Sequence, residues 1–452
     1  MRYGRKFLLL AGCISLAAPP AMAATAASGS SASSGKKAAS ESRKNEYLEV
    51  VGGNVISATG VTGRQFGGGL IRAETGDKSA STVSRDFIAK QSPTQSTFQM
   101  LKLTPGANAA SSDPFGMQYG GGGFSVRGLD SSHMGFVYEG ILVTSSYNSQ
   151  VNPSEWADTE NQEQIRLEQG SPDISTPTVN ASGGVVFIQT RDPSHHFHVT
   201  ADATGGSYSM ARGFMRVDTG DLGRSGVRMF MSVSHMEADH TRGAGHDSKT
   251  HFDLGAVKDW GAESRSKLTI SYSNFDISNY AYPTQAQFDK GGYNYTNVYT
   301  GTNTNYYKLH QNPYEALLVS LPTKLKLIKG LTFNFTPYTY YNYGTTGFGG
   351  MVAENAVYSG LSKEQVDLNG DGSITSNKYM TYEPYIEETS RSGFNTNMVY
   401  QRGHNTLTFG YWFQYENDNL FSQYGRVSSS GSPLNPWGDS NYYTVNGHPI
   451  ML

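Results

Sequence analysis

The sequence predicts a chain in two parts: a mixed α/β domain over residues 52–193, then an antiparallel transmembrane β-barrel over residues 194–452 that this chain does not complete. Three observations carry the prediction. After Pro193, apolar or aromatic residues alternate with small or polar ones in segment after segment. The connections between those segments alternate between tight turns and long polar stretches, as in outer-membrane barrels. The N-terminus reads as an export signal. Composition agrees: 52 Gly, 29 Tyr and 21 Phe with only 37% hydrophobic residues suit a β-protein with polar surfaces inside as well as outside. A net charge of −3, from 35 basic and 38 acidic residues, gives no field for attracting nucleic acid, so no nucleic-acid partner is expected.

Residues 1–23 form the signal peptide: Arg2, Arg5 and Lys6, then "FLLLAGCISLAA", then "AMA" before Ala24. "LAGC" at 10–13 is the rival, a lipoprotein box with Cys13 acylated. The apolar stretch before it is short and apolar residues continue after it, which favours cleavage after Ala23. The exported chain would then hold no cysteine, so its stability must come from a large hydrogen-bonded fold. Residues 24–45, rich in Ala, Ser and Gly, read as a flexible linker. Residues 46–51 (Glu46, Tyr47, Leu48, Glu49, Val50, Val51) are a β-prone island after it. They form either the first strand of the next domain or a segment held out for a partner's sheet edge.

Within 52–193 the spacing predicts a helix over 85–102, interrupted at Pro93 and recapped by Thr94, then a Pro105-Gly106 turn. The glycine run 120–123 does not complete GxGxxG, and there is no Walker A, GxSxG or HExxH sequence, so no enzyme is expected. Beyond Pro193, strands are predicted at 197–203, 227–233, 268–272, 331–341, 394–400 and 407–415, with weaker ones at 211–218, 251–257 and 316–326, about nine in all. Tight turns fall near 220–225, 259–265, 329–330 and 402–405, and long connections near 238–249, 277–314 and 344–383; only the first hairpin, near 205–209, breaks the pattern by being short. No stretch of 18 apolar residues follows the signal, so no transmembrane helix is expected. Tyrosines from Tyr272 onward suit an interfacial girdle or ligand contact.

Metal readings are few. His195, His196 and His198 open the first strand, and His235, His240, His246 and His251 surround one predicted loop; both sets are unspecific. "DLNGDGSIT" at 367–375 places Asp367, Asn369 and Asp371 at positions 1, 3 and 5 of a calcium loop. Lys378 stands where a bidentate carboxylate is expected. The alternative is an Asn-Gly/Asp-Gly turn. No cofactor is otherwise required.

Five motifs in order now carry a resemblance. "LKLTPGAN" (101–108), "FSVRGL" (124–129), "VYEGI" (137–141), "NQEQIRLEQGSP" (161–172) and "ASGGVVFIQTRDP" (181–193) are similar to the plug domain of TonB-dependent outer-membrane receptors. Glu139, Ser171 and Phe187 depart from the usual pattern. The resemblance implies a plug with motif residues Arg127, Gly128, Glu139, Gly140, Gly183 and Gly184, and a TonB box at Glu46–Val51. It implies a location in the Gram-negative outer membrane, against its lipid, with TonB as the energy-coupling partner. It also implies a small-molecule ligand, with Ser131, Ser132, His133 and Met134 facing it and Arg127 nearby, holding the plug against the barrel wall. A ferric siderophore is the first expectation, with a saccharide or cobalamin as alternatives. The rival function is a passive outer-membrane channel or a surface adhesin. Plugged barrels of this kind have about 22 strands, and the residues after 196 supply only about nine or ten. An incomplete receptor is therefore expected, as a truncated reading frame or an N-terminal fragment.

Overall fold

A computed structural model describes residues 60–61, 78–111, 113–117, 123–145, 149, 151–261, 263–280 and 283–451. The signal peptide, the linker, the TonB-box-like segment and Gly120–Gly122 of the glycine run lie outside these residues.

The N-terminal domain is built on a mixed sheet. Strand β1 (Ala80–Ser84) runs straight into helix α1 (Arg85–Ile88), and helix α2 (Thr97–Leu101) follows. The expected single interrupted helix is thus two short ones, with Pro93 between them. The cap also differs. Ser96 and Gln99 form a reciprocal capping box on α2, while Thr94 bonds back to Ser92. Strands β2 (Ala107–Ala109), β3 (Phe124–Val126) and β4 (Leu129–Asp130) make a small sheet. Strands β5 (Met134–Tyr138), β6 (Ile141–Leu142), β7 (Gln162–Gln169) and β8 (Gly184–Thr190) join β1 in the order β1-β7-β8-β5-β6, with β5 and β8 parallel. Phe98, Phe124 and Phe136 sit at its centre, with Phe98 stacked on Phe124 at 4.9 Å between ring centroids. Val83, Ile165 and Ile188 complete an apolar core.

The second part is an antiparallel meander that curves around this domain. Its strands are β9 (Phe197–Gly205), β10 (Ala211–Thr219), β11 (Val227–Asp239), β12 (His246–Asp259), β13 (Arg265–Ser278), β14 (Gln311–Ser320), β15 (Thr323–Ile328) and β16 (Leu331–Thr346). Helix α3 (Gln285–Gly291) lies in the β13–β14 connection. Two hairpins, β17 (Gly349–Ala353) with β20 (Lys378–Tyr382) and β18 (Val357–Ser359) with β19 (Ser362–Glu364), fill the next long connection. The wall then resumes with β21 (Tyr385–Arg402) and β22 (Asn405–Ser422). A short hairpin, β23 (Thr444–Val445) and β24 (His448–Pro449), follows.

β14 and β15 are one wall strand in two pieces. Thr269 pairs with Ser320 and Ser266 with Thr323, the same register on both sides of Leu321-Pro322. Counted so, the wall has nine strands among the described residues, matching the roughly nine that the alternation predicts. Pro322 and, on the neighbouring strand, Pro337 both lie inside the ladder, where neither can donate a hydrogen bond. Lys267 N still donates to Pro322 O, and Leu321 N to Pro337 O.

The strands run longer than the alternation suggests. The predicted 238–249 connection shrinks to 240–245, because β11 and β12 continue pairing to Asp239 and His246. The two long connections, 279–310 and 347–384, still lie at one end of the wall, together with the short 206–210 and 240–245 turns, and the opposite end carries short turns alone. Strands of 9–18 residues suffice to cross an apolar layer. On β22, Leu407, Phe409, Tyr411, Phe413 and Tyr415 point outward and are exposed, while Trp412, Gln414 and Glu416 alternate inward. The tyrosines divide: Tyr400, Tyr411 and Tyr415 are exposed on the outer face, whereas Tyr314, Tyr338 and Tyr340 are buried against the domain inside.

Candidate functional site: the seam between plug and wall

The stretch 124–142 makes two two-residue hairpins. Arg127 (φ 51°) and Gly128 (φ 85°) join β3 to β4; Glu139 (φ 46°) and Gly140 (φ 85°) join β5 to β6. Positive φ at both central residues is the type I′ turn, whose twist matches paired strands. The second position takes Gly because other side chains resist this backbone. At Gly140 there is a further reason: a Cβ would come within 2.7 Å of the Thr336 side chain on the wall. Gly184 is similarly forced, since its Cβ would lie 2.2 Å from Glu168 O.

The two turns do different work. Glu139 Oε1 accepts from Thr190 N (2.5 Å), Thr190 Oγ1 (2.7 Å) and Lys267 Nζ (2.8 Å), tying the domain to β13. The Arg127 side chain is exposed, and its hydrogen bond goes to Ser79 of the same domain at 3.5 Å. The role of holding the domain to the wall thus falls to Glu139 and not, as expected, to Arg127.

The main seam is the segment 151–161, of which sequence reasoning marked only Asn161, at the head of the NQEQIRLEQGSP motif. Asn161 donates to Ser232 Oγ and Asp253 Oδ2, both at 2.7 Å, and accepts from Arg216 Nη1 at 2.9 Å. Arg216 is fully buried, paired with Asp218 at 2.7 Å and stacked over Phe230 at 3.7 Å. Arg212 grips Glu160 through two bonds of 2.6 and 3.0 Å. Farther round, Tyr314 and Tyr340 donate to the two oxygens of Glu155 at 2.9 and 2.8 Å. Burial pushes the Glu155 carboxyl up to about 8, against the lowering effect of those hydroxyls. Arg391 donates to Leu142 O and to Thr144 O (3.0 Å) while held by Glu416 at 2.8 and 2.9 Å. The only sequence signal for these groups is charge at inward positions of alternating strands.

The loop end of the wall meets a different part of the domain from the one expected. Phe115 and Met117 pack against Met210, Met236 and Ala238 beside the β9–β10 and β11–β12 connections. Asp113 shapes this apex by accepting from Phe115 N (2.7 Å) and Met117 N (3.3 Å). The expected ligand-facing turn sits elsewhere. Ser132 N and Oγ donate to Asp130, and His133 O accepts from Gly183 N at 2.8 Å, all within the domain. Met134 is fully buried, so it cannot face a ligand in this state.

The other proposed metal ligands are likewise engaged locally. Asp367 accepts from the amides of Gly370 and Gly372, both at 2.7 Å; Asn369 Oδ1 accepts from Asp371 N and Asp371 Oδ1 from Ser373 N. His195 pairs with Asp221, His240 with Asp247 and His246 with Asp239, each at 3.0 Å, and His235 bonds Thr250. His251 leaves the loop set altogether: it points inward at mid-strand, beside Asp253.

Residues 72–185 match the model of the TonB-dependent Receptor Plug Domain. No curated protein matches the chain. Among solved structures, the fold is similar to the ferripyoverdine receptor of the outer membrane of Pseudomonas aeruginosa, with TM-score 0.57 and 14% identity. That match covers 82% of this chain and 47% of the receptor. It is also similar to the ferric citrate transporter FecA (TM-score 0.57, 14% identity, 81% and 51% covered). The ferric-catecholate import receptor Fiu of E. coli K12 resembles it too (TM-score 0.53, 15% identity, 82% and 53% covered). The chain spans about half the length of the solved structures it matches.

Proposed function

We propose that this chain, a member of the TonB-dependent outer-membrane receptors by its plug and barrel strands, serves the active uptake of a scarce small molecule, with a ferric siderophore as the ligand class. The observation that carries the reading is the seam. A domain fills the space inside a transmembrane wall, packed on an apolar cluster the two parts share and held by polar contacts such as Arg216–Asn161 and Lys267–Glu139. A passive channel has no use for such a stopper. The outer membrane carries no nucleotide energy source, so displacing the plug needs force from outside the wall. TonB, engaging Glu46–Val51 as an added strand, is the proposed source.

The ligand class rests on the ferric-chelate receptors and transporters among similar structures. A copper transporter, OprC, is also similar in fold (TM-score 0.51, 11% identity), so copper belongs in the same assay. Ligand contact is proposed at the Asp113–Met117 apex, at the loop end of the wall. Calcium at Asp367, Asn369 and Asp371 is proposed as loop ordering only; chelator-insensitive proteolysis of the 354–378 loop would reject it. The test of the main reading is uptake of labelled ferric chelates, cobalamin, copper and oligosaccharide by cells carrying the gene, with and without residues 46–51. Uptake of a ferric chelate that stops on the deletion is expected. Uptake that survives the deletion rejects energy coupling, and uptake of another ligand alone rejects the siderophore assignment.

A further inference from the structure

Midway down the wall, Asp158 of the plug faces His251 and Asp253 of β12. One nitrogen or oxygen atom from each lies within 4.8 Å of the other two, and all three residues are buried. The three side chains are unevenly satisfied. Asp253 accepts from Asn161 Nδ2 (2.7 Å) and Ser271 Oγ (2.6 Å), and lies 3.0 Å from His251 Nε2. His251 Nδ1 and Asp158 Oδ2, in contrast, make no hydrogen bond, although His251 is 1% exposed and the Asp158 side chain 7%. Leaving two such atoms buried and unpaired is costly unless something binds them. An imidazolium donating to both carboxylates would satisfy them, but it would close the Nδ1 contact, and that contact is open.

The charge around the trio is mixed. Arg212 holds Glu160 by two bonds and lies 3.4 Å from Asp158 Oδ1, Lys249 stands near Asp158 as well, and Arg216 is paired with Asp218. Asp253 has His251 as its ion-pair partner among the described residues. Arg212 and Lys249 both border a cavity beside Asp158. That cavity, of about 40 Å³, opens on Asp158 between Thr97, Trp156 and Ser234. One imidazole and two carboxylates form a donor set for zinc-like first-row divalent ions, bound at about 2.0–2.2 Å from each ligand atom.

We propose that Asp158, His251 and Asp253 form a divalent transition-metal site that fastens the plug to the barrel wall. The site crosses the seam: one ligand belongs to the part that moves and two to the part that stays. A cation here adds a bond that is made when the plug is seated and lost when it leaves. It is separate from any imported chelate, because its ligands lie below the loops and inside the seam.

The test uses the full chain purified in detergent, without a histidine tag, stripped with chelator and titrated with Zn²⁺ and Co²⁺. Expected are one equivalent of bound metal, a cobalt visible spectrum with nitrogen–oxygen ligation, and slower trypsin release of the plug with metal than without. Asp158→Asn and His251→Gln should each weaken binding at least tenfold. Near-wild-type trypsin patterns in the metal-free variants establish that they fold. No stoichiometric binding by the wild type, or equal binding by wild type and by Asp158→Asn, overturns the site. Binding that leaves plug release unchanged overturns the fastening role.

Discussion

The plug's interior and its seam with the wall differ in chemistry. Inside, Phe98, Phe124, Phe136, Ile165 and Ile188 bury apolar surface, which is non-directional and survives small shifts. At the seam that apolar cluster runs on into Phe275, Ile277 and Leu318 of the wall, and it is joined there by hydrogen bonds and ion pairs with a fixed direction. A directed contact is lost over about an ångström and regained just as sharply. The difference teaches where the plug is held in register: apolar contact is common to its interior and its seat, and the directed contacts belong to the seat.

The comparison breaks first if the core is damaged. Phe136→Ala should cost about 3–5 kcal/mol of plug stability. The plug should become protease-sensitive while the wall keeps its heat resistance on gels. A wall that melts in parallel would mean the two parts are one cooperative unit. Next comes the seam. Arg391→Met removes charge-assisted bonds to Thr144 O and to Glu416, each worth about 1.5–3 kcal/mol. It should speed plug release under denaturant without lowering core stability. Arg391→Lys should rescue little, since the fork geometry is lost; full rescue by lysine would reduce the contact to simple charge.

A pH dependence sharpens the contrast further. The Glu155 carboxyl is raised by burial to about 8, so the folded seam holds a proton that the unfolded chain releases above the ordinary carboxyl range. Stability should fall as pH rises toward 8 and level off above it. Glu155→Gln should remove that slope, measured by denaturation between pH 5 and 9. Parallel slopes for the two proteins would place the titration elsewhere. Smallest of all, Ser131→Ala on the partly exposed turn should change stability by no more than about 0.5 kcal/mol. It should also leave ligand binding intact if the Asp113–Met117 apex is the contact. A binding defect there would restore the turn as the ligand surface.

Much of this architecture was legible in the residues. Alternation gave the strand number, and loop lengths gave the two ends of the wall. The VRGL and VYEGI motifs are legible because a type I′ turn leaves a local signature, a glycine at its second position. The seam was not legible, for an equally physical reason. Arg391 meets Leu142 and Thr144 across a separation of 249 and 247 residues, and Asn161 meets Asp253 across 92. No local propensity encodes such a pairing. Alternation marks Arg391 as inward-facing and says nothing of its partner. The apex was missed because Phe115 and Met117 read as ordinary loop apolar residues until β9–β11 bring Met210 and Met236 beside them.

Pro322 and Pro337 give the wall one more property. Neighbouring strands each lack a donor at nearly one height, and Lys267, which faces Pro322 across the ladder, is the residue that reaches Glu139. Thr336, adjacent to Pro337, is the residue that Gly140 nearly touches. The sheet therefore has fewer ladder bonds where the plug's EG turn presses on it. Tension applied to the plug from below would be absorbed there as a slight local parting of strands, a built-in compliance that a fully bonded ladder would lack.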